Sequence, residues 1–174
     1  VSTFVTPDKP IDTPRRSRKA VYRLTTTDDA EIKLSDTALP RTGYQRVSWG
    51  DAKTALIAIN LDEPVNPEAD VADEKHREPS AMLDSADAKI KELVAAALGA
   101  NAEQLSDAEK AEKLRQFVHR YINAKDLSVG LATASEVART QQGDCTEHGM
   151  LLAAMLRAAG VPSRTASGLI YVDQ

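Results

Sequence analysis

The chain has 174 residues, of which 42% are hydrophobic and 4% are aromatic, so aliphatic and alanine side chains must fill most of its core. The formal net charge is −4, from 22 Lys and Arg against 26 Asp and Glu, and this lack of basic excess argues against nucleic acid as a partner. No apolar run is long enough to span a bilayer, no signal peptide is present, and the first residue, Val1, indicates a piece cut from a longer polypeptide of undefined compartment.

The first third of the chain predicts an extended arm followed by strands. Residues 1–20 hold three prolines and a basic cluster, which is typical of a solvated arm. Turn residues then separate short runs that are rich in β-branched and aromatic side chains. This spacing predicts an antiparallel β meander. Its strands are AVYRLTT (20–26), EIKLSD (31–36), YQRVSW (44–49) and TALIAINL (54–61).

A polar connection divides the chain. Residues 62–80 contain three prolines and many charges, and they predict a boundary between two structural units. We therefore expect a first region over 1–80, made of the arm, the β-rich part and this linker, and a second region over 81–174. His76 lies in the linker and is predicted to be exposed.

After residue 80 the hydrophobic period becomes helical. The capping-box pattern Ser106–Glu109 marks the start of one helix, and His119 falls off its apolar stripe and is predicted to lie on the surface. The predicted helices cover 86–98, the stretch from Ser106 through Ile122, and roughly 135–141.

The only cysteine, Cys145, lies in the stretch GDCTEHGMLLAAMLRAAG. One cysteine excludes an intrachain disulfide and a zinc site of several thiolates. It is either a small buried hydrophobe or a nucleophile, and a redox thiol is disfavoured because the chain has no resolving cysteine. No metal or organic cofactor is implied.

The residues around Cys145 favour the nucleophile. Asp144 is a good N-cap, and the helix that follows runs to Gly160 with apolar residues over most of its circumference, which predicts a central helix. Gly149 inside it predicts close packing against another backbone. A cysteine in the first turn meets unpaired N–H groups and the positive end of the helix dipole, which stabilise a thiolate and can hold an oxyanion. Glu147 is interpreted as a first-turn acid that the dipole favours.

The stretch GDCTEHGMLLAAMLRAAGVPSRTASGLIYV resembles the core motif of transglutaminase-like proteins of the bacterial branch. The resemblance covers about 81 to the end of the chain. Its matching residues are Gly143, Asp144, Cys145, Thr146, Glu147, His148, Gly160, Pro162, Arg164, Gly168 and Tyr171.

This resemblance implies an α+β fold like that of the papain-like cysteine proteinases, in which a central helix carrying the cysteine packs on an antiparallel sheet. It places Cys145 at the nucleophile of a Cys-His-Asp triad and implies a strand at the end of the chain, over Thr165–Val172. The triad His and Asp are expected beyond Gln174. We therefore expect the chain as given to be inactive, with an open strand edge that can pair with a second copy.

The resemblance implies a cysteine enzyme that cleaves peptide or glutamine-type amide bonds through a thioester, by hydrolysis or by acyl transfer to an amine. The alternative is a non-catalytic module on the same fold that binds peptide or protein. Gln141 or Gln142 can offer an amide donor to the oxyanion, or both can simply face solvent. His148 lies three residues after Cys145 and could act as the base, although a structural role is the preferred interpretation.

Overall fold

The computed structural model describes residues 7–26, 43–51, 53–63, 71–124 and 132–168. These residues form three antiparallel strands and four α-helices, so the α+β class is confirmed. The chain divides into two compact units. The described residues up to Val71 belong to the first unit, and Ala72–Gly168 form the second. The predicted boundary at residue 80 stays a prediction.

The first unit is built on a sheet of the strands β1 (Lys19–Thr25), β2 (Gln45–Asp51) and β3 (Thr54–Asn60). Both pairings are antiparallel, as predicted, but the order is β1-β3-β2. A simple meander is therefore wrong for the described strands, because β3 lies between β1 and β2. Period-two patterning identifies strands and does not determine which edges meet. The strand predicted over 31–36 lies outside the described residues.

The second unit holds the helices α1 (Ala88–Leu98), α2 (Asp107–Tyr121), α3 (Ala134–Thr140) and α4 (Cys145–Ala158). The three helices predicted before Cys145 are confirmed within two residues at each end. The predicted capping box is present at the start of α2, where the Glu109 N–H donates to Ser106 Oγ over 3.3 Å and the Ser106 N–H donates to Glu109 Oε2 over 2.9 Å. No helix in the described parts of the chain is long and apolar enough to cross a bilayer.

Helix α4 is the centre of this unit and packs against α1, α2 and α3. Its apolar side chains occupy the inside of the helical layer, as the all-round apolar pattern predicted. The largest fully buried side chains come from all four helices, and one of them is acidic: Ile90, Leu114, Val137, Glu147, Leu151 and Met155.

For two single residues the described structure gives no support to the prediction. A Cβ added at Gly149 would meet no described atom within 4 Å, so this glycine does not pack against a described backbone. The side chain of His76 is only 15% exposed, and its Nδ1 accepts the Asp73 N–H over 3.1 Å inside a short 3-10 turn. His119 is exposed, as predicted.

The end of the chain is only partly described. Residues 161–168 carry no regular secondary structure, and 169–174 lie outside the described residues. The final strand over Thr165–Val172 is therefore not observed, and self-association through it stays a prediction. Arg157 links residues 161–168 to the rest of the second unit. Its guanidinium donates to the carbonyl oxygens of Ser163 over 3.0 Å and Glu78 over 2.6 Å.

Gly149→Ala should stabilise the chain by about 0.5–1 kcal/mol, because alanine is the better helix former and the added methyl group meets open space. Gly160→Ala is the matched control. Its added methyl group also meets open space, but the backbone φ is 81°, so this change should destabilise by about 1–2 kcal/mol. Urea unfolding of both variants measures whether each substitution raises or lowers the free energy of unfolding. Two changes of the same sign would contradict the explanation.

Candidate active site

Hydrogen bonds from the end of α2 hold the turn between α3 and α4. The N–H groups of Asn123 and Ala124 both point at the Gln141 carbonyl oxygen, at 3.3 and 3.5 Å. In return, the Gly143 N–H donates to the Ala124 carbonyl oxygen over 3.1 Å. The Tyr121 hydroxyl donates to the Ala138 carbonyl oxygen over 2.6 Å and joins α2 to α3. The entry to α4 is thus anchored to the rest of the unit.

Asp144 and Glu147 form a reciprocal capping box at the start of α4. The Asp144 carboxylate accepts the Thr146 N–H over 2.8 Å and also caps the Glu147 N–H. The Glu147 Oε2 atom accepts the Asp144 N–H over 3.0 Å. These bonds satisfy three of the donors that a helix N-terminus normally leaves free. The predicted cap is therefore present, with Asp144 at the cap and Cys145 as the first helical residue.

The side chain of Glu147 lies under the turn and not in solvent. The residue is 2% exposed. Gly143 has a φ of 143°, and a Cβ added there would overlap Cβ and Cγ of Glu147. No buried side-chain oxygen or nitrogen of the described residues lacks a hydrogen-bond partner, so this carboxylate is satisfied. The interpretation of Glu147 as an ordinary first-turn acid misses this burial, although the D-x-x-E spacing is a capping-box signal.

Cys145 is exposed at the first position of a helix that is otherwise largely buried. The Cys145 N–H has no hydrogen-bond acceptor among the residues that the structure describes. Beside it, hydrogen bonds hold the pKa of the Asp144 carboxyl below its usual 3.8. The Thr146 N–H makes the largest contribution, and the Cys145 thiol is among the smaller ones.

His148 is tied to the backbone. Its Nδ1 donates to the Asp144 carbonyl oxygen over 2.6 Å, which leaves Nε2 as the unprotonated ring nitrogen in the neutral side chain. Between Cys145 and His148 no hydrogen bond is present. The His148 ring is thus in contact with Asp144, the residue that caps the helix.

The two glutamines differ in their surroundings. The Gln141 backbone is left-handed, with φ 57°, and its Oε1 accepts from Asn123 Nδ2 over 3.4 Å. Gln142 is exposed, and its backbone forms a bridge with Ala124. Their roles as oxyanion donors stay predictions. Within the described ranges, no three His, Cys, Asp or Glu side chains form a group that could hold a metal ion.

A protein-family model matches the region that contains this site. Residues 94–174 match the model of the Transglutaminase-like superfamily. The transglutaminase-like match covers just under half of the chain, begins within α1 and includes all of α4 with Cys145. The resemblance inferred from the Gly-Asp-Cys stretch is confirmed. No curated protein matches the chain.

One solved structure is similar to the chain, and it is described as a "putative cysteine protease from Cytophaga hutchinsonii". The two share 12% identity with a TM-score of 0.41, over 83% of this chain and 53% of that one. The chain therefore spans about half the length of that protein.

Asp144→Ala should lower the free energy of unfolding by about 1 kcal/mol at pH 7, whereas Asp144→Asn should nearly preserve it, because asparagine is an equally good cap. The wild-type carboxyl has a lowered pKa in the folded chain. Its contribution is therefore present above the unfolded pKa of about 3.9 and is lost as the pH falls through the lower folded value.

Urea unfolding of wild type and Asp144→Asn should accordingly show a difference that depends on pH below about 4 and is constant between pH 6 and 7. Equal stabilities of Asp144→Ala and Asp144→Asn at pH 7 would show that the cap contributes nothing.

Proposed function

We propose that the chain provides the nucleophile and the oxyanion-binding half of a transglutaminase-like cysteine enzyme that acts on peptide or glutamine-type amide bonds. One observation carries the proposal. An exposed cysteine occupies the first position of a buried, capped helix, inside the region that matches the superfamily. A cysteine kept only for packing would be expected within the helix and not at its exposed start.

The chemistry follows from the donors at the turn. The Cys145 sulfur, as thiolate, attacks the amide carbonyl carbon, and the carbonyl oxygen becomes an oxyanion. The Asp144 carbonyl oxygen accepts the His148 N–H within the helix, over 3.1 Å. The Cys145 N–H belongs to the same planar peptide and points the opposite way, out of the helix end. It is therefore the donor that can meet the oxyanion. Gln141 and Gln142 both stay candidates for a second donor.

Completion of the reaction needs a proton carrier. When the carbon–nitrogen bond breaks, the departing amine takes up a proton and an acyl thioester of Cys145 remains. Water or a second amine then attacks the thioester and gives a proton to a base. Among the described residues no imidazole is hydrogen-bonded to Cys145, and the Nδ1 of His148 is bonded to the Asp144 carbonyl oxygen. We infer that these residues support acylation and not turnover, and that the base is supplied by a histidine elsewhere.

The test uses p-nitrophenyl acetate and a glutamine-containing peptide, with water or a primary amine as the acceptor. Wild type should release about one equivalent of nitrophenol per chain from the ester and should not turn over the peptide. Cys145→Ala should remove the burst. His119→Ala is the matched control, because His119 is exposed on α2 and should leave the burst unchanged.

Three outcomes separate the alternatives. Peptide turnover that requires Cys145 and is lost in His148→Ala would make His148 the base and would overturn the incomplete-site proposal. An absent burst together with saturable peptide binding would favour the non-catalytic binding module. A burst that survives in Cys145→Ala would place the reactive group elsewhere.

A further inference from the structure

The buried acid in the first turn of α4 has no part in the chemistry described so far. Glu147 is among the largest fully buried side chains of the chain, and the other five are apolar. Burying a carboxylate is costly unless its hydrogen bonds are satisfied, so its position calls for a specific partner. That partner is the backbone N–H of Asp144, at 3.0 Å from Oε2.

We propose that Glu147 is a positioning residue for Cys145, holding the Gly143–Asp144 backbone so that the Cys145 N–H stays free and directed at the substrate oxygen. This inference rests on the proposed function. Glu147 does not touch the substrate in this proposal and acts only through the turn.

The geometry of the turn supports this role. Glu147 fixes the peptide plane before Asp144 through the Asp144 N–H. His148 fixes the plane after it, because the backbone N–H and Nδ1 of His148 both donate to the Asp144 carbonyl oxygen, at 3.1 and 2.6 Å. With both planes held, the direction of the Cys145 N–H is determined. Without the carboxylate, the Asp144 N–H would have no partner and could compete for the same oxyanion or rotate the turn.

Gly143 is a second observation that supports this role, because its lack of a side chain leaves the space that the Glu147 side chain occupies. Any larger residue at 143 would overlap the Glu147 side chain, and its φ of 143° is itself unfavourable for residues with a Cβ. The Gly143 N–H is bonded to the Ala124 carbonyl oxygen over 3.1 Å, so the turn cannot shift away without losing that bond. The glycine, the buried acid and the cap thus form one unit under the nucleophile.

The test compares Glu147→Gln, whose amide oxygen can still accept the Asp144 N–H, with Glu147→Met, which keeps a long buried side chain without a strong acceptor. Three rates are measured in each full chain: amide hydrogen exchange at Asp144, alkylation of Cys145 by iodoacetamide, and its acylation by p-nitrophenyl acetate. Only acylation passes through an oxyanion, so the ratio of acylation to alkylation reports on the Cys145 N–H and not on general stability.

Glu147→Gln should keep Asp144 exchange and the acylation-to-alkylation ratio within about threefold of wild type, and Glu147→Met should speed exchange and lower the ratio by about tenfold or more. If both variants fold and show equal Asp144 exchange rates and equal acylation-to-alkylation ratios, the proposal is overturned. If Glu147→Met does not fold, amide hydrogen exchange of the wild type tests the proposal instead. An Asp144 amide that exchanges as fast as the Cys145 amide overturns the positioning role, and a slower one supports it. A wild type that is alkylated but not acylated contradicts the proposed function, and Asp144 exchange then decides the role of Glu147 alone.

Discussion

The reciprocal hydrogen bonds between Asp144 and Glu147 are the constraint on which the candidate site depends. Each residue satisfies a backbone N–H at the start of α4, and together they use the donors that would otherwise compete at the helix end. In this arrangement the Cys145 N–H remains without a hydrogen-bond acceptor among the described residues. The same bonds therefore stabilise the fold, because they cap its central helix, and they leave one N–H donor beside the thiol for the chemistry that we propose.

The helix end that carries Cys145 is also acidic. The positive end of a helix dipole favours a thiolate, but two acidic side chains share this helix end with Cys145. The Asp144 carboxyl keeps a pKa below its usual value, chiefly because it accepts the Thr146 N–H. The His148 ring is hydrogen-bonded to the Asp144 carbonyl oxygen of the same turn and not to the thiol.

The helices around α4 position the candidate site and provide none of its proposed reacting groups. α2 anchors the turn through Asn123, Ala124 and Tyr121, whose hydrogen bonds reach the end of α3 and the residues before Cys145. The Asp87 carboxylate binds Arg139 over 2.8 Å and joins the start of α1 to α3. These contacts are polar links at the rim of an apolar core, so they set the position of the turn while burial provides the stability.

Local signals in the sequence were enough to determine the helices, the cap at Asp144, the start of α4 at Cys145 and the transglutaminase-like resemblance. Caps, helical periods and glycine stops act over a few residues, and the chain carries them in plain form. Other features required the folded chain. The strand order β1-β3-β2 and the open space at Gly149 depend on where distant segments lie. The covered His76 and the bond of His148 to the Asp144 carbonyl depend on side-chain geometry that a residue pattern does not specify. The buried role of Glu147 lies between these cases. Its capping spacing is local, but its burial arises because α4 is surrounded by three other helices and Gly143 leaves room for its side chain.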